Sequence, residues 1–327
     1  MKPETIYDWQ NIEILITGGA GSLGKTLTKL LLKKYKPKGI RIFSRDEYKH
    51  QVMKQELLNE GYTGNVAYLI GDVREKRRLS LAFSGVDIVI NAAAMKQVGA
   101  CEDNPIEAAK TNIYSVENIV EAAIESKVSE VLHISTDKAV YPINLYGMTK
   151  GAAEKIFIHS NVYSPHGTKF SCCRYGNVLG SRGSIIPVIK ERIKNKLPIK
   201  ITDLEMTRFW ISLPRVAQFI MDRIMDMRGA EIFVPKMPST RLVDMLAFIM
   251  PEKGYPIENM GIRPGEKIHE TLITHEESKN TSSFADYFTI KQQKENMNFQ
   301  NAWSYDSQNN PYRMNKKEFK IMMEERI

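Results

Sequence analysis

A short apolar strand, Ile12-Glu13-Ile14-Leu15-Ile16, runs directly into Thr17-Gly18-Gly19-Ala20-Gly21-Ser22-Leu23-Gly24, and an amphipathic segment from Lys25 to Tyr35 follows. Strand, glycine turn and helix in that order point to a fold in which helices cross over a parallel sheet. Each glycine of the turn has its own physical use. Gly18 permits the tight turn, Gly21 lets the backbone approach a pyrophosphate, and Gly24 lets the helix pack closely on the strand. The helix amino terminus offers amides to the anion. Thr17, Gly18, Gly21, Ser22, Leu23 and Gly24 are therefore expected around a dinucleotide. A Walker-type phosphate loop would need Gly-Lys-Ser/Thr, which this segment lacks.

The alternation continues. Gly39-Ile40-Arg41-Ile42-Phe43 ends at Ser44-Arg45-Asp46-Glu47, where a dinucleotide fold presents its ribose-reading residues. Here a basic group comes before the acids. Arg45, with Ser44, Asp46 and Lys49 beside it, suits a 2′-phosphate and so favours NADP over NAD. Ser44 is also placed to cap the next helix through its hydroxyl. Val66-Ala67-Tyr68-Leu69-Ile70 delivers Gly71-Asp72-Val73, which places Asp72 and Val73 near an adenine. Val86-Asp87-Ile88-Val89-Ile90 delivers Asn91-Ala92-Ala93-Ala94, and the small Ala92, Ala93 and Ala94 leave room for the nicotinamide-side ribose. Lys96 follows within reach of a phosphate or a sugar.

A second chemical cluster lies further on. The strand Val131-Leu132-His133-Ile134 ends in Ser135-Thr136-Asp137-Lys138, and Tyr146 and Lys150 follow, four residues apart on a helix after Pro142. Residues spaced by four share a helical face, so phenol and amine project towards the strand ends. A phenol beside an ammonium has a lowered pKa, which lets Tyr146 take a proton from an alcohol near neutral pH. Tyr287/Lys291 and Tyr312/Lys316 have the same spacing but no strand and acid in front of them, and read as surface pairs. Asp137 and Lys138 would pair as ions in water, so a working cleft has to separate or desolvate them.

These motifs together resemble the soluble, inverting UDP-N-acetylglucosamine 4,6-dehydratases, extended short-chain dehydrogenases/reductases that start the pseudaminic acid pathway. The resemblance rests on Thr17-Gly24, Ser44-Glu47, Gly71-Arg74, Ala92-Lys96, Ser135-Lys138, Tyr146-Lys150, Arg174-Ser184 and Gly261-Glu270, and it covers the chain up to about residue 290. It implies a Rossmann-type doubly wound parallel sheet with a smaller interleaved α/β substrate-binding domain. Residues 1–175 would bind NADP, with returns to the sheet near 207–235, and 176–327 would form most of the substrate domain.

By the same resemblance, Tyr146, with Lys150 and Thr136 nearby, takes the 4-hydroxyl proton while a hydride leaves C4. Lys138 is then the base at C5, and Asp137 is the acid for the departing 6-hydroxyl. Hydride returns to C6, and C5 is reprotonated from the opposite face. Asn177, Arg182 and Met206 would contact the nucleotide sugar together with Lys96, while Arg208 and Arg263 hold the diphosphate and Glu266 faces the nucleoside. A homo-oligomer and a downstream aminotransferase acting on the product are further implications. Gln97 and Tyr141 depart from residues common in relatives, which leaves a C5-retaining dehydratase and a UDP-hexose 4-epimerase as alternatives. A non-catalytic NADP-sensing protein is a more remote one.

Composition narrows the rest. The 327 residues carry a formal net charge of +8, concentrated locally in Lys33-Lys34-Tyr35-Lys36-Pro37-Lys38 and Arg74-Glu75-Lys76-Arg77-Arg78. Neither cluster interleaves bulky aromatics as a stacking platform would, so anionic small substrates explain the charge and no nucleic acid is expected. Three cysteines, Cys101, Cys172 and Cys173, make no disulfide framework. With no apolar run of membrane-spanning length and no metal-ligand spacing, the expectation is a cytoplasmic enzyme without metal or membrane.

Overall fold

Strands that are apolar on both faces belong in the middle of a parallel sheet covered by helices on either side. The computed structural model describes residues 7–165, 167–181, 185–250, 255–292 and 302–327. In it, β1 (Glu13–Thr17), β2 (Gly39–Ser44), β3 (Val66–Ile70), β4 (Ile88–Asn91), β5 (Glu130–Ile134) and β6 (Lys169–Cys173) pair in parallel. Ile232–Pro235 adds a seventh parallel strand beside β6, and an antiparallel pair, Tyr287–Ile290 and Thr281–Ser283, closes that edge. Burial follows position. All of β4 is buried, whereas β3 at the opposite edge is half-buried and ends exposed at Ile70.

The spatial order β6-β5-β4-β1-β2-β3 reverses direction between β1 and β4. Helices leave those two strands on opposite faces, so a crevice opens at their carboxyl ends, where such folds take their ligands. The turn after β1 is built for close approach. Gly18 has φ +63°, and a Cβ there would lie 2.9 Å from the Ala92 carbonyl oxygen. The helix Ser22–Leu30 begins directly after Gly21.

Two large cores fill most of the interior, and a small cluster of Cys101, Ala108 and Tyr146 lies apart from them. The larger surrounds the sheet and takes in late residues, including Phe219, Val234, Leu272 and Tyr305. The smaller joins Leu179, Ile201, Met206, Trp210, Leu242, Met245 and Leu246 to Met314, Phe319 and Met322, so the helix Lys316–Glu324 packs into it. β6 ends at Cys173, and Asn177–Leu179 pairs with Thr207–Ser212 in a separate three-stranded sheet. The second basic segment is balanced locally: Arg74 pairs with Asp72 and Glu107, and Lys76 pairs with Glu121 and Glu125. Among the described residues no helix is long and apolar enough to cross a membrane, no cluster could hold a metal ion, and all three cysteines are free thiols.

Candidate active site

A cleft of about 1730 Å³ runs from the glycine turn, past the ends of β4 and β5, to the segment Arg263–Glu266. Gly18, Gly21, Ser22, Leu23 and Gly24 line one end with Ser44, Arg45, Asp46, Lys49, Asp72, Val73 and Ala92 to Ala94. The other end is lined by Lys96, Thr136, Lys138, Tyr146, Lys150, Asn177, Met206, Arg208, Arg263 and Glu266. Of the other expected residues, Thr17 and Asp137 do not line the cleft. Thr17 is fully buried beneath the turn, because its hydroxyl is drawn to Asn91 Oδ1 at 2.6 Å, and Arg182 lies outside the described residues.

Ser44 does not cap the following helix. Asp46 does so by accepting from the Lys49 amide at 3.0 Å, and Ser44 Oγ lies 2.7 Å from His50 Nε2. Asp46 also pairs with the Lys49 ammonium. Arg45, more than half exposed, reaches Asp72 at 3.5 Å. The ribose-reading end of the cleft is thus a guanidinium beside carboxylates that already have cations.

At the chemical end, β5 stops at Ile134 and the chain bends into a tight 3-10 turn, Asp137–Ala139. This bend cancels the strand alternation that would send Asp137 and Lys138 to opposite faces. The helix Leu145–His159 starts beside it, capped by Asn144, which accepts from the Gly147 amide at 2.7 Å. Gly147 lets the two meet: a Cβ there would lie 2.2 Å from the Lys138 carbonyl oxygen.

Of the two expected alternatives, separation is not found: Lys138 Nζ lies 3.0 Å from Asp137 Oδ1. Desolvation holds instead: Asp137 is fully buried behind the cleft wall. Its Oδ1 also accepts from Thr136 Oγ1 at 3.0 Å, and its Oδ2 has no partner in the protein. Lys138 further donates to Asn177 Oδ1 at 3.3 Å and lies 3.7 Å from Glu270 Oε1. Burial opposes its charge, but Asp137 and Glu270 outweigh burial and hold the Lys138 pKa above its usual range.

Tyr146 differs from expectation in the same way. Burial pushes its phenol up to about 12, and the groups that pull it back are Lys138 and a hydrogen bond with Thr136, not Lys150. Lys150 is buried, donates to the Ile134 carbonyl at 2.6 Å and meets His133 Nε2 at 2.8 Å. Burial lowers its pKa to about 8. The two other Tyr-x-x-x-Lys pairs stay outside the cleft: Tyr287 lies over Arg223, and Tyr312 bonds to Glu318.

Arg208 is buried with its guanidinium fixed by the carbonyls of Thr207, Lys267 and Ile268 at 2.7 to 2.9 Å. Such a clamp aims a planar cation into the cleft without ordering cost on binding. Glu266 Oε2 is buried without a protein partner, which suits a ligand hydroxyl donor.

Compared with known proteins, residues 14–292 match the family model described as polysaccharide biosynthesis protein. The chain belongs to that family. Within it, the chain is 42% identical over 324 residues to a UDP-N-acetylglucosamine 4,6-dehydratase (inverting) of Campylobacter jejuni subsp. jejuni serotype O:23/36, covering 93% of this chain and 95% of that one. It is 39% identical to a UDP-glucose 4-epimerase of Rickettsia conorii over 88% of this chain and 84% of that protein. The X-ray structure of Pen from Bacillus thuringiensis superposes with a TM-score of 0.88 at 36% identity, over 97% of this chain and 99% of that one. The Rossmann-type sheet expected from the sequence is the fold found, and the family lies within the extended short-chain dehydrogenases/reductases.

Glu270 on the cleft wall and His133 behind it escaped the sequence reading. Glu270 is buried and pairs with Lys267 at 2.9 Å as well as facing Lys138. It stands at the end of a quoted motif, so only its role was missed. His133, inside an apolar strand, gave no signal beyond being a lone histidine.

Proposed function

We propose that this protein catalyses NADP-dependent 4,6-dehydration of UDP-N-acetylglucosamine with inversion at C5, giving UDP-2-acetamido-2,6-dideoxy-β-L-arabino-hexos-4-ulose. The observation that carries the reading is the contact of Lys138 with a desolvated Asp137 in the same cleft as Tyr146 and Lys150. Elimination needs a neutral amine and a protonated carboxyl together. Moving one proton across the 3.0 Å contact, from Lys138 to Asp137, produces both at once. In a site that excludes water the neutral pair gains on the ion pair, since desolvation penalises each charge.

The residue roles follow. Tyr146, its phenolate favoured by Lys138 and Thr136, takes the 4-hydroxyl proton; Lys138 takes the C5 proton; Asp137 protonates the leaving 6-hydroxyl by way of Thr136 or Lys138. NADP, when bound, supplies the reversible hydride acceptor that oxidises C4 and later reduces C6. The glycine turn, Asp72, Val73 and the alanines after β4 fit its dinucleotide, and Arg45 with Lys49 fits the 2′-phosphate. An Arg45→Ala variant that kept its preference for NADP over NAD would remove that support. Arg208 and Arg263 bind the diphosphate, Glu266 the nucleoside, and Asn177, Met206, Lys96 and Arg182 the sugar.

We further propose that the smaller core builds the sugar-nucleotide lobe, and that the enzyme works in the cytoplasm as a homo-oligomer ahead of an aminotransferase. A second reading, 4-epimerase, draws on the Rickettsia relatives. Incubation with UDP-N-acetylglucosamine in heavy water separates them. Loss of water and deuterium at an inverted C5 are expected; a product of unchanged mass would replace this reading with the epimerase, and retained C5 configuration with a retaining dehydratase.

A further inference from the structure

His133 has no role in the reaction as described, yet it lies in direct contact with one of its lysines. In β5, its Nε2 is 2.8 Å from Lys150 Nζ and its Nδ1 is 2.9 Å from Asn91 Nδ2. Asn91 Oδ1 is in turn 2.6 Å from Thr17 Oγ1, at the head of the glycine turn. Thr17, Asn91, His133 and Lys150 come from β1, β4, β5 and the helix after β5, and none is more than 3% exposed. The line runs behind the cleft wall, from the catalytic amine to the dinucleotide turn.

Donor counting decides what such a line can do. When Thr17 donates to Asn91 Oδ1, the Asn91 amide donates to His133 Nδ1. A neutral ring then carries its proton on Nε2 and donates to Lys150, which has to be an uncharged amine to accept it. When Lys150 is an ammonium every direction reverses: Nε2 accepts, Nδ1–H donates to the Asn91 oxygen, and the Asn91 amide, turned over, donates to Thr17. Both arrangements use the same side-chain positions, because carboxamide oxygen and nitrogen exchange places.

We propose that His133 is a positioning residue whose ring changes tautomer with the proton on Lys150 and relays that change through Asn91 to Thr17 under the glycine turn. The proposal rests on the proposed function in taking Lys150 as part of the oxidation site, in the same cleft as Tyr146. Electrostatics agree with it: burial, and then Lys150, keep the His133 pKa far below its usual value, so the ring stays neutral while burial brings the amine into range at about 8. Neighbouring groups offer no rival proton. Cys172, paired with His133 across β5 and β6, has its thiol pushed well up by burial; Glu154 is held by Arg174 at 2.7 Å; Phe157 stacks on the ring at 4.5 Å.

Nitrogen NMR of the resting full-length protein, labelled at histidine, reads the tautomer without substrate. The His133 ring is expected to pass from Nδ1–H below about pH 7 to Nε2–H above about pH 9, without becoming an imidazolium. One fixed tautomer across that range, or titration near the ordinary value of about 6.5, would overturn the proposal. A His133→Phe variant keeps the ring volume but removes both nitrogens, so the ammonium loses its acceptor. The midpoint of the pH profile for cofactor reduction should then fall by about one unit, a tenfold change in the neutral amine at fixed pH, with KM for the sugar nucleotide unmoved. An unmoved midpoint counts against the relay. If the variant does not fold, the tautomer measurement on the unaltered protein still decides. Inactivity towards UDP-N-acetylglucosamine would remove the functional reading while leaving the tautomer switch to stand or fall by itself.

Discussion

Lys138 and Lys150 line one cleft, yet their surroundings drive them in opposite directions. Lys138 sits at a bent strand end between Asp137 and Glu270, and these carboxylates hold it charged against burial. Lys150 sits on the helix against a carbonyl and a neutral imidazole, and burial alone lowers it to about 8. The amine assigned to proton abstraction therefore rests protonated, and the amine four residues after Tyr146 rests close to neutrality. A lysine's state is set by the charges it meets once water is removed, not by its place in a motif. On the proposed function, the resting cleft is a poised arrangement that a bound sugar nucleotide has to reset.

The sharpest way to break this comparison is to remove each lysine in turn. Lys138→Ala should lower the rate of water loss by about a thousandfold, the scale of a lost general base, while reduction of bound NADP on adding substrate is still seen by absorbance. Lys150→Ala should depress both steps, since its amine shares the cleft with Tyr146, where the oxidation that precedes elimination takes place. Equal loss of cofactor reduction in the two variants would erase the distinction.

Much of the cleft could be read from residue order alone. The glycine turn, the strand ends at Ser44, Asp72 and Ala92, and the Asp137-Lys138 and Tyr146-Lys150 pairs all fall on its walls or directly behind them, because short-range patterns mark where strands stop and helices begin. What stayed hidden depends on contacts across the sheet. His133 faces Asn91 only through the register of β4 with β5, and Thr17 is turned beneath the cleft by that same neighbour. The tail was opaque for a different reason. Its polar composition masks three apolar residues, Met314, Phe319 and Met322, that complete the smaller core. Removal of the Phe319 ring should cost about 3 kcal/mol of stability, measured by denaturant unfolding.

A finer probe alters the charge around Lys138 without touching the lysine. Glu270→Gln removes one carboxylate that favours the ammonium, so the Lys138 pKa should fall. A base with a lowered pKa is neutral at lower pH, and the midpoint for C5 exchange should move down by about one unit, or tenfold in rate on the acid side. The shift is read from deuterium incorporation across a pH series. A midpoint that stays in place would assign control of Lys138 to Asp137 alone.

The smallest effect is expected where the motif recurs without its surroundings. Tyr312 and Lys316 keep the spacing of Tyr146 and Lys150, but the phenol bonds to Glu318 and neither residue lines the cleft. Burial and that carboxylate raise the Tyr312 pKa against the pull of Arg215, and neither Tyr312 nor Arg215 lines the cleft. Tyr312→Phe should therefore change kcat by less than about twofold and stability by about 1 kcal/mol, the worth of one partly exposed hydrogen bond. Should this variant lose activity as Tyr146→Phe is expected to, spacing rather than environment would be setting the chemistry, and the contrast between Lys138 and Lys150 would lose its physical basis.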